Sequence, residues 1–267
     1  MPELPEVETI RRDLAPLVGQ SLQRVTVKLP KLVRPRPGAL RTLCGHVLQE
    51  IARRGKLLLF DFREKLLLVH LGLTGALVLG EDGVSPPPHT QVILHFEKAP
   101  LFYADLRQFG WLEVVSREEL PRHPFYASLG PDALGIPYEE FFRRLKASGR
   151  RLKALLLDQK VLSGLGNIYV DESLFRAGLH PERPARSLSP EEIRRLYEAV
   201  QEVLRRALEL RGSSVRDYVD GRGESGAFQE EHLVYGKRGQ PCPRCRTPLA
   251  YKVVAGRGTT FCPRCQR

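Results

Sequence analysis

Long hydrophobic runs are missing from this chain of 267 residues: none reaches the roughly 18 residues that a spanning helix needs. The N-terminus also lacks the apolar core of a signal peptide. A helical membrane protein is excluded on this reading, and a cytoplasmic location is expected. Cysteine is scarce: there are five, and four of them sit in two CxxC pairs. That usage fits metal binding in a reducing compartment and not a disulfide framework. Met1 is the only methionine and Asn167 the only asparagine. Depletion of thermolabile side chains beside many charged ones is a thermophile pattern, so a hot-environment source is expected. The chain has no internal repeat.

Positive charge, in contrast, is abundant. The chain has 42 lysines and arginines against 31 acidic residues, a net charge of +11 and a pI of 9.7. Such a surplus calls for a polyanionic partner, nucleic acid first and an acidic membrane surface second. The length and a hydrophobic content of 42% suit a soluble protein of two domains, or two plus a small module. The first residues are the most unusual. Loss of Met1, expected before a residue as small as proline, leaves Pro2 with a free secondary amine. An α-amino group titrates near roughly 7.7–8.0, so part of it is nucleophilic at neutral pH. A secondary amine that attacks an aldehyde-like carbon forms an iminium directly. Glu3 and Glu6 stand beside it as proton-transfer candidates, with capping of the following helix as the other role open to Glu6.

Residues 5–18 carry Val7, Ile10, Leu14 and Leu17 at helical spacing. Glu6 and Glu8 come early and Arg11 and Arg12 late, the order that the helix dipole favours. A helix start just after Pro2 is expected to lower the amine's pKa. Between Leu22 and Val115 the pattern changes to short β-rich runs at 22–29, 47–52, 56–62, 66–70, 76–79, 91–96, 101–104 and 111–115. Runs of this kind suggest a sandwich or barrel. Helical patterns follow at 138–146, 152–159, 168–176 and 190–210, the last with Ser189 as its N-cap. Residues 212–228 have the composition of a mobile loop. The expected division is a helix plus β-sandwich over 1–120, a Pro/Gly-rich linker over 121–137, a helical domain over 138–232 and a metal module over 233–267.

The metal module is the sharpest local signal. Cys242-Pro-Arg-Cys245 and Cys262-Pro-Arg-Cys265 are separated by sixteen residues. Two such knuckles form a tetrahedral four-thiolate zinc site, and four protein ligands leave no open position for catalysis. One structural zinc ion is expected. Strands are expected at 249–254 and 259–261, with Arg257 at the tip of the turn between two glycines. In so basic a chain that arginine points to a nucleic-acid contact. Gly164-Leu-Gly166-Asn167 makes a glycine-bearing turn between two helices. Asn167 is the expected N-cap, and amides at a helix start bind phosphate well.

Several motifs then add up in chain order. They are Pro2-Glu-Leu-Pro-Glu-Val-Glu-Thr9, Arg54-Gly-Lys56, His70-Leu-Gly72, Asp105-Leu-Arg107-Gln-Phe109-Gly110 and Gly164-Leu-Gly-Asn167-Ile-Tyr169, followed by the ribbon with Arg257. With them the whole chain resembles the bacterial formamidopyrimidine-DNA glycosylases. The resemblance implies an α+β multidomain fold: an N-terminal β-sandwich, a helical domain with a helix-two-turn-helix element, and a four-cysteine zinc-ribbon hairpin. It implies an enzyme that removes oxidised purines, such as 8-oxoguanine and formamidopyrimidines, from double-stranded DNA and then cleaves the strand at the abasic site; nothing in the sequence suggests an obligate partner, so a monomer is expected. By the same resemblance Pro2 attacks C1′ and Glu3 is the proton-transfer acid. Lys56 acts in β-elimination, and Arg257 in δ-elimination and phosphate binding. His89, Arg107 and Asn167 match DNA-contacting positions. Leu73, Arg107 and Phe109 match the trio that fills the gap behind a flipped nucleotide. Leu73 stands where the family has methionine, an apolar wedge of similar volume. Flipping costs roughly a few kcal/mol, least for a damaged base.

Two other readings stay open on the sequence. An endonuclease VIII-like sibling would act on oxidised pyrimidines, although Leu4-Pro5-Glu6 and the four-cysteine ribbon look more like the purine enzyme. A non-enzymatic zinc-ribbon nucleic-acid binder would use the charge and the ribbon and leave Pro2 and Glu3 idle. His70, on an apolar strand, reads as a satisfied core histidine.

Overall fold

A computed structural model describes residues 2–81 and 83–267; Met1, whose removal the Pro2 chemistry requires, lies outside the described residues. The chain divides into two units, Met1–Ala127 with Leu210–Gln229, and Ser128–Glu209 with Glu230–Arg267.

The first unit begins with α1 (Leu4–Asp13). Its apolar residues Val7 and Ile10 are fully buried, as the spacing demands. The helix stops short of residue 18 because Pro16 has no N–H to donate to the carbonyl four residues back. One 3₁₀ turn, Ala15–Leu17, replaces the expected last turn. Among the described residues nine strands follow: β1 (Leu22–Val27), β2 (Val33–Arg34), β3 (Glu50–Arg54), β4 (Leu57–Asp61), β5 (Lys65–His70), β6 (Gly75–Leu79), β7 (Thr90–Phe96), β8 (Pro100–Asp105) and β9 (Trp111–Ser116). They form two sheets, in the orders β1-β7-β8-β6 and β2-β9-β5-β4-β3. All pairs are antiparallel except β2 with β9.

Strand alternation decides which side chain enters which layer. Leu58, Phe60, Leu67, Val69 and Leu112 share a core with Val25, Leu77, Val92, Leu94 and Tyr103 of the other sheet. The intervening Leu57, Leu59, Leu66, Leu68 and Trp111 form a second cluster with Phe125 and Tyr126. Both faces of β4 and β5 are therefore covered, which is why 57–60 and 66–69 are continuous apolar runs and not alternating ones. Phe125 and Tyr126 come from a short helix, α2 (Pro124–Ser128), inside the stretch expected to be a linker.

The second unit holds α3 (Tyr138–Lys146), α4 (Leu152–Leu156), α5 (Asn167–Ala177) and α6 (Pro190–Glu209), then the hairpin of β10 (Ala250–Val254) and β11 (Arg257–Phe261). α4, its turn and α5 are the helix-two-turn-helix element. The Gln159 amide staples the turn: Nε2 donates to the carbonyls of Leu157 and Leu165, and Oε1 accepts the Gly164 amide. α6 is amphipathic, burying Ile193, Leu196, Val200, Val203, Leu204 and Ala207. No described helix is long and apolar enough to cross a membrane.

Candidate active site and nucleic-acid interface

The start of α1 fixes the N-terminal residues of the first unit. Pro2 is buried and Glu3 is only 2% exposed. Glu3 occupies the N-cap position, and Glu6, three residues on, accepts its amide with Oε2 at 2.8 Å. The other Glu6 oxygen accepts the Ser213 amide, also at 2.8 Å. Glu6 is thus a cap that also grips the 210–229 segment. At Gly212 (φ +85) a Cβ would lie 2.7 Å from Glu6 Oε1, so only glycine fits this close approach. The far end of the helix repeats the arrangement: Arg211 bridges Asp13 and Asp220 at 2.5 Å each, and the Gly221 amide reaches Asp13 at 3.1 Å. The 212–228 segment, expected to be a mobile loop, is hydrogen-bonded to both ends of α1.

Lys56 follows the turn at Gly55 (φ 58) between β3 and β4 and is 8% exposed. His70, at the end of β5, pairs with Leu57 on one side and Trp111 on the other. Its ring stacks on Trp111 at 5.6 Å and meets the edge of Phe125 at 5.3 Å. Nδ1 accepts the Gly72 amide at 3.2 Å, which leaves the proton on Nε2. Burial, helped by the positive charges of Lys56 and Arg34, pushes its pKa down to about 4. His70 is therefore the neutral, satisfied histidine that its strand position suggested, sitting in the field of Lys56.

Two turns build the next cluster, and fully buried Asp105 organises both. It accepts the Thr74 hydroxyl at 2.7 Å and the Gly110 amide at 2.9 Å, and Thr74 Oγ1 accepts the Arg107 amide at 2.9 Å. A Cβ on Gly72 would lie 2.6 Å from the Gly110 nitrogen, so the 71–75 and 105–110 turns touch backbone to backbone. This contact brings Leu73, Arg107 and Phe109 onto adjoining turns. Leu73 is half-buried, whereas Phe109 is 57% exposed with the Arg107 guanidinium over its ring at 5.0 Å. Exposed His89 (φ 62) joins them through its carbonyl, which accepts the Asp105 amide at 3.1 Å.

In the second unit, two expectations need correction. Asn167 is not the N-cap of α5: extended Gly166 takes that position, and Asn167 Nδ2 donates instead to the Gly258 carbonyl at 2.9 Å. Its Oδ1 is buried with no hydrogen-bond partner among the described residues. Arg257 is not at the hairpin tip. Ala255 and Gly256 (φ 51 and 70) form a two-residue turn with positive φ at both positions, the geometry that suits a right-twisted hairpin. Arg257 is the first residue of β11, paired with Val254 and exposed.

The sulfurs of Cys242, Cys245, Cys262 and Cys265 all lie within 4.8 Å of one another, with Cys242 to Cys265 at 3.9 Å and Cys245 to Cys262 at 3.5 Å. Thiolates in a tetrahedron with bonds of about 2.3 Å stand about 3.8 Å apart, so the set fits zinc. The Arg244 and Cys265 amides point at the sulfurs of Cys242 and Cys262, at 3.4 and 3.3 Å, and support their negative charge. The site holds one structural zinc ion.

Three buried charged groups had no individual signal in the sequence. Asp105 was visible only as part of a motif. Glu172, 0% exposed, accepts the amides of Leu233, Val234 and Tyr235 and so holds the chain entering the ribbon. Lys153, also 0% exposed, bonds Asp171 at 2.6 Å.

Models of known families match in three successive pieces. The formamidopyrimidine-DNA glycosylase N-terminal domain covers residues 1–112, its H2TH domain 129–219, and the zinc finger found in FPG and IleRS 239–267. The formamidopyrimidine-DNA glycosylase of Thermus thermophilus is 50% identical, over 100% of this chain and 98% of its own length. That of Geobacillus kaustophilus is 46% identical over the whole of both. Among solved structures, the Lactococcus lactis Fpg bound to abasic-site DNA superposes with a TM-score of 0.92 at 37% identity, over 99% of both chains. The same enzyme as a mutant bound to DNA containing Fapy-dG gives 0.92 at 37% identity, over 100% of both. With matches spanning the sandwich, the helical element and the ribbon, the chain belongs to the formamidopyrimidine-DNA glycosylase family.

Proposed function

We propose that this base-excision DNA glycosylase removes oxidised purines through the Pro2 amine and then cleaves the abasic strand. The observation that carries the reading is the N-terminal one: a buried Pro2-Glu3 pair at the start of α1, held by the Glu6 carboxylate. The substrate class is carried over from the L. lactis enzyme, which binds abasic and Fapy-dG DNA.

Pro2 nitrogen bonds to C1′ as the bond from C1′ to the damaged base breaks, the base leaving with the bonding pair and gaining the proton that the Pro2 nitrogen gives up. Glu3 protonates the sugar oxygen as the ring opens, giving the iminium. Loss of a C2′ proton then expels the 3′ phosphate, with Lys56 assisting. A second proton loss expels the 5′ phosphate, with Arg257 assisting and binding phosphate, and hydrolysis frees Pro2 and leaves a one-nucleotide gap. His89, Arg107 and Asn167 contact DNA, and Leu73, Arg107 and Phe109 fill the space left by the flipped nucleotide. The zinc ion keeps the ribbon folded and takes no part in bond making. The enzyme works as a cytoplasmic monomer, and the depletion of Met and Asn supports a thermophilic source.

Matched duplexes with 8-oxoguanine or thymine glycol test the substrate class. The 8-oxoguanine duplex is expected to give the higher kcat/KM; a reversed ratio would place the chain with the pyrimidine enzymes.

A further inference from the structure

Arg257 is exposed, yet the backbone that follows it is held from inside the protein. The Gly258 carbonyl accepts Lys153 Nζ at 3.1 Å and Asn167 Nδ2 at 2.9 Å. Lys153 and Asp171 form an ion pair at 2.6 Å with side chains 0% and 1% exposed, and the second Asp171 oxygen accepts the Thr260 amide at 3.1 Å. Two backbone groups just past Arg257 are therefore fixed by one buried pair, with Lys153 on α4 and Asp171 on α5. The pairing of Val254 with Arg257 holds the strand from the other side. A Cβ on Gly258 would lie 2.5 Å from the Tyr251 hydroxyl, so a side chain there would require that exposed ring to move aside.

A buried ion pair is an inefficient source of stability: apolar groups of the same shape commonly serve as well or better. What the pair does specify is geometry, because the lysine ammonium has donors for Asp171 and the Gly258 carbonyl together. We infer that Lys153 and Asp171 are positioning residues that set Arg257 in place through the Gly258 carbonyl and the Thr260 amide. The inference rests on the proposed part of Arg257 in the second elimination.

The test uses zinc-loaded full-length enzyme and a duplex with a preformed abasic site, and reads the ratio of δ- to β-elimination product. The pair is changed to Lys153→Met with Asp171→Asn, which removes both charges of the pair together and keeps an acceptor for Thr260. This variant is expected to retain zinc and the wild-type yield of borohydride-trapped adduct, while the product ratio falls on the order of 10²-fold, the scale of a misplacement of about 1 Å. Adding Arg257→Ala is expected to lower the ratio no further than Arg257→Ala alone. A wild-type ratio in the pair variant overturns the inference, and so does a loss that adds to that of Arg257→Ala, which would show the pair acting independently. If Arg257→Ala alone leaves the ratio unchanged, the proposed role of Arg257 fails and this inference falls with it. Should the pair variant not fold, Asp171→Asn alone carries the test, with a smaller fall expected and a wild-type ratio again overturning the inference.

Discussion

Replacing His70 with asparagine should flatten the acid sensitivity of the β-sandwich. The substituted amide would keep an acceptor for the Gly72 N–H but cannot take up a proton. In the folded wild type, burial and the charges of Lys56 and Arg34 hold the His70 pKa near 4, against an ordinary value of 6.5. The folded state thus refuses a proton that the unfolded chain accepts. The resulting stability is complete above pH 6.5 and is lost progressively as pH falls toward 4. Applying linkage to these two values, His70 removes about 2 kcal/mol between about pH 7 and about pH 5. Trp111 is the only tryptophan and stacks on this ring, so its fluorescence during urea unfolding reports on the unit that contains His70. His232, pushed down by burial to about 4 as well, lies in the other unit. Wild type should lose about 2 kcal/mol more than His70→Asn over this interval. Equal losses would refute the reasoning.

Asp105→Ala removes the acceptor shared by Thr74 and Gly110 in a fully buried site. Trp111-monitored unfolding should show about 3 kcal/mol of lost stability, and kcat/KM on a lesion duplex should drop as Arg107 and Phe109 lose their support; a loss under about 1 kcal/mol would speak against the organising role. Glu172→Ala strands three backbone amides. It should cost about 4 kcal/mol in the second unit and speed zinc loss to a chelator, and unchanged zinc retention would show that the ribbon is held by its thiolates alone.

The strands of the sandwich were legible because alternation and turn residues act locally. The runs at 66–70 and 91–96, for example, match β5 and β7 to within one residue. What escaped depends on tertiary context. β2 has two residues and exists only through its parallel pairing with β9. α2 is short and its aromatic side chains gain stability only against Trp111 and its neighbours, so Pro/Gly content masked it. Asn167 has the propensity of a cap, but extended Gly166 precedes it and Asn167 takes the first helical position, with Nδ2 donating to the Gly258 carbonyl. The flanking glycines suggest a turn centred on Arg257, whereas Ala255 adopts the positive φ that opens the turn and Arg257 begins the strand. Lys153 carried no signal at all: a lysine in a helical pattern is solvated by default, and only Asp171, brought near by the α4–α5 turn, makes its burial tolerable. Pro2, Glu3 and the Glu6 cap are legible as residue types in a motif, while the Glu6 grip on Ser213 and the Asp105 bonds that seat the Arg107–Phe109 turn require the fold.

The central claim is that the Pro2 nitrogen forms the covalent bond to the damaged nucleotide. Borohydride reduction during reaction with an 8-oxoguanine duplex, followed by proteolysis and mass spectrometry, tests it most directly. The account predicts protein that lacks Met1 and a sugar adduct on the Pro2 peptide. An adduct on Lys56 or another lysine, or one formed by protein that retains Met1, would contradict it.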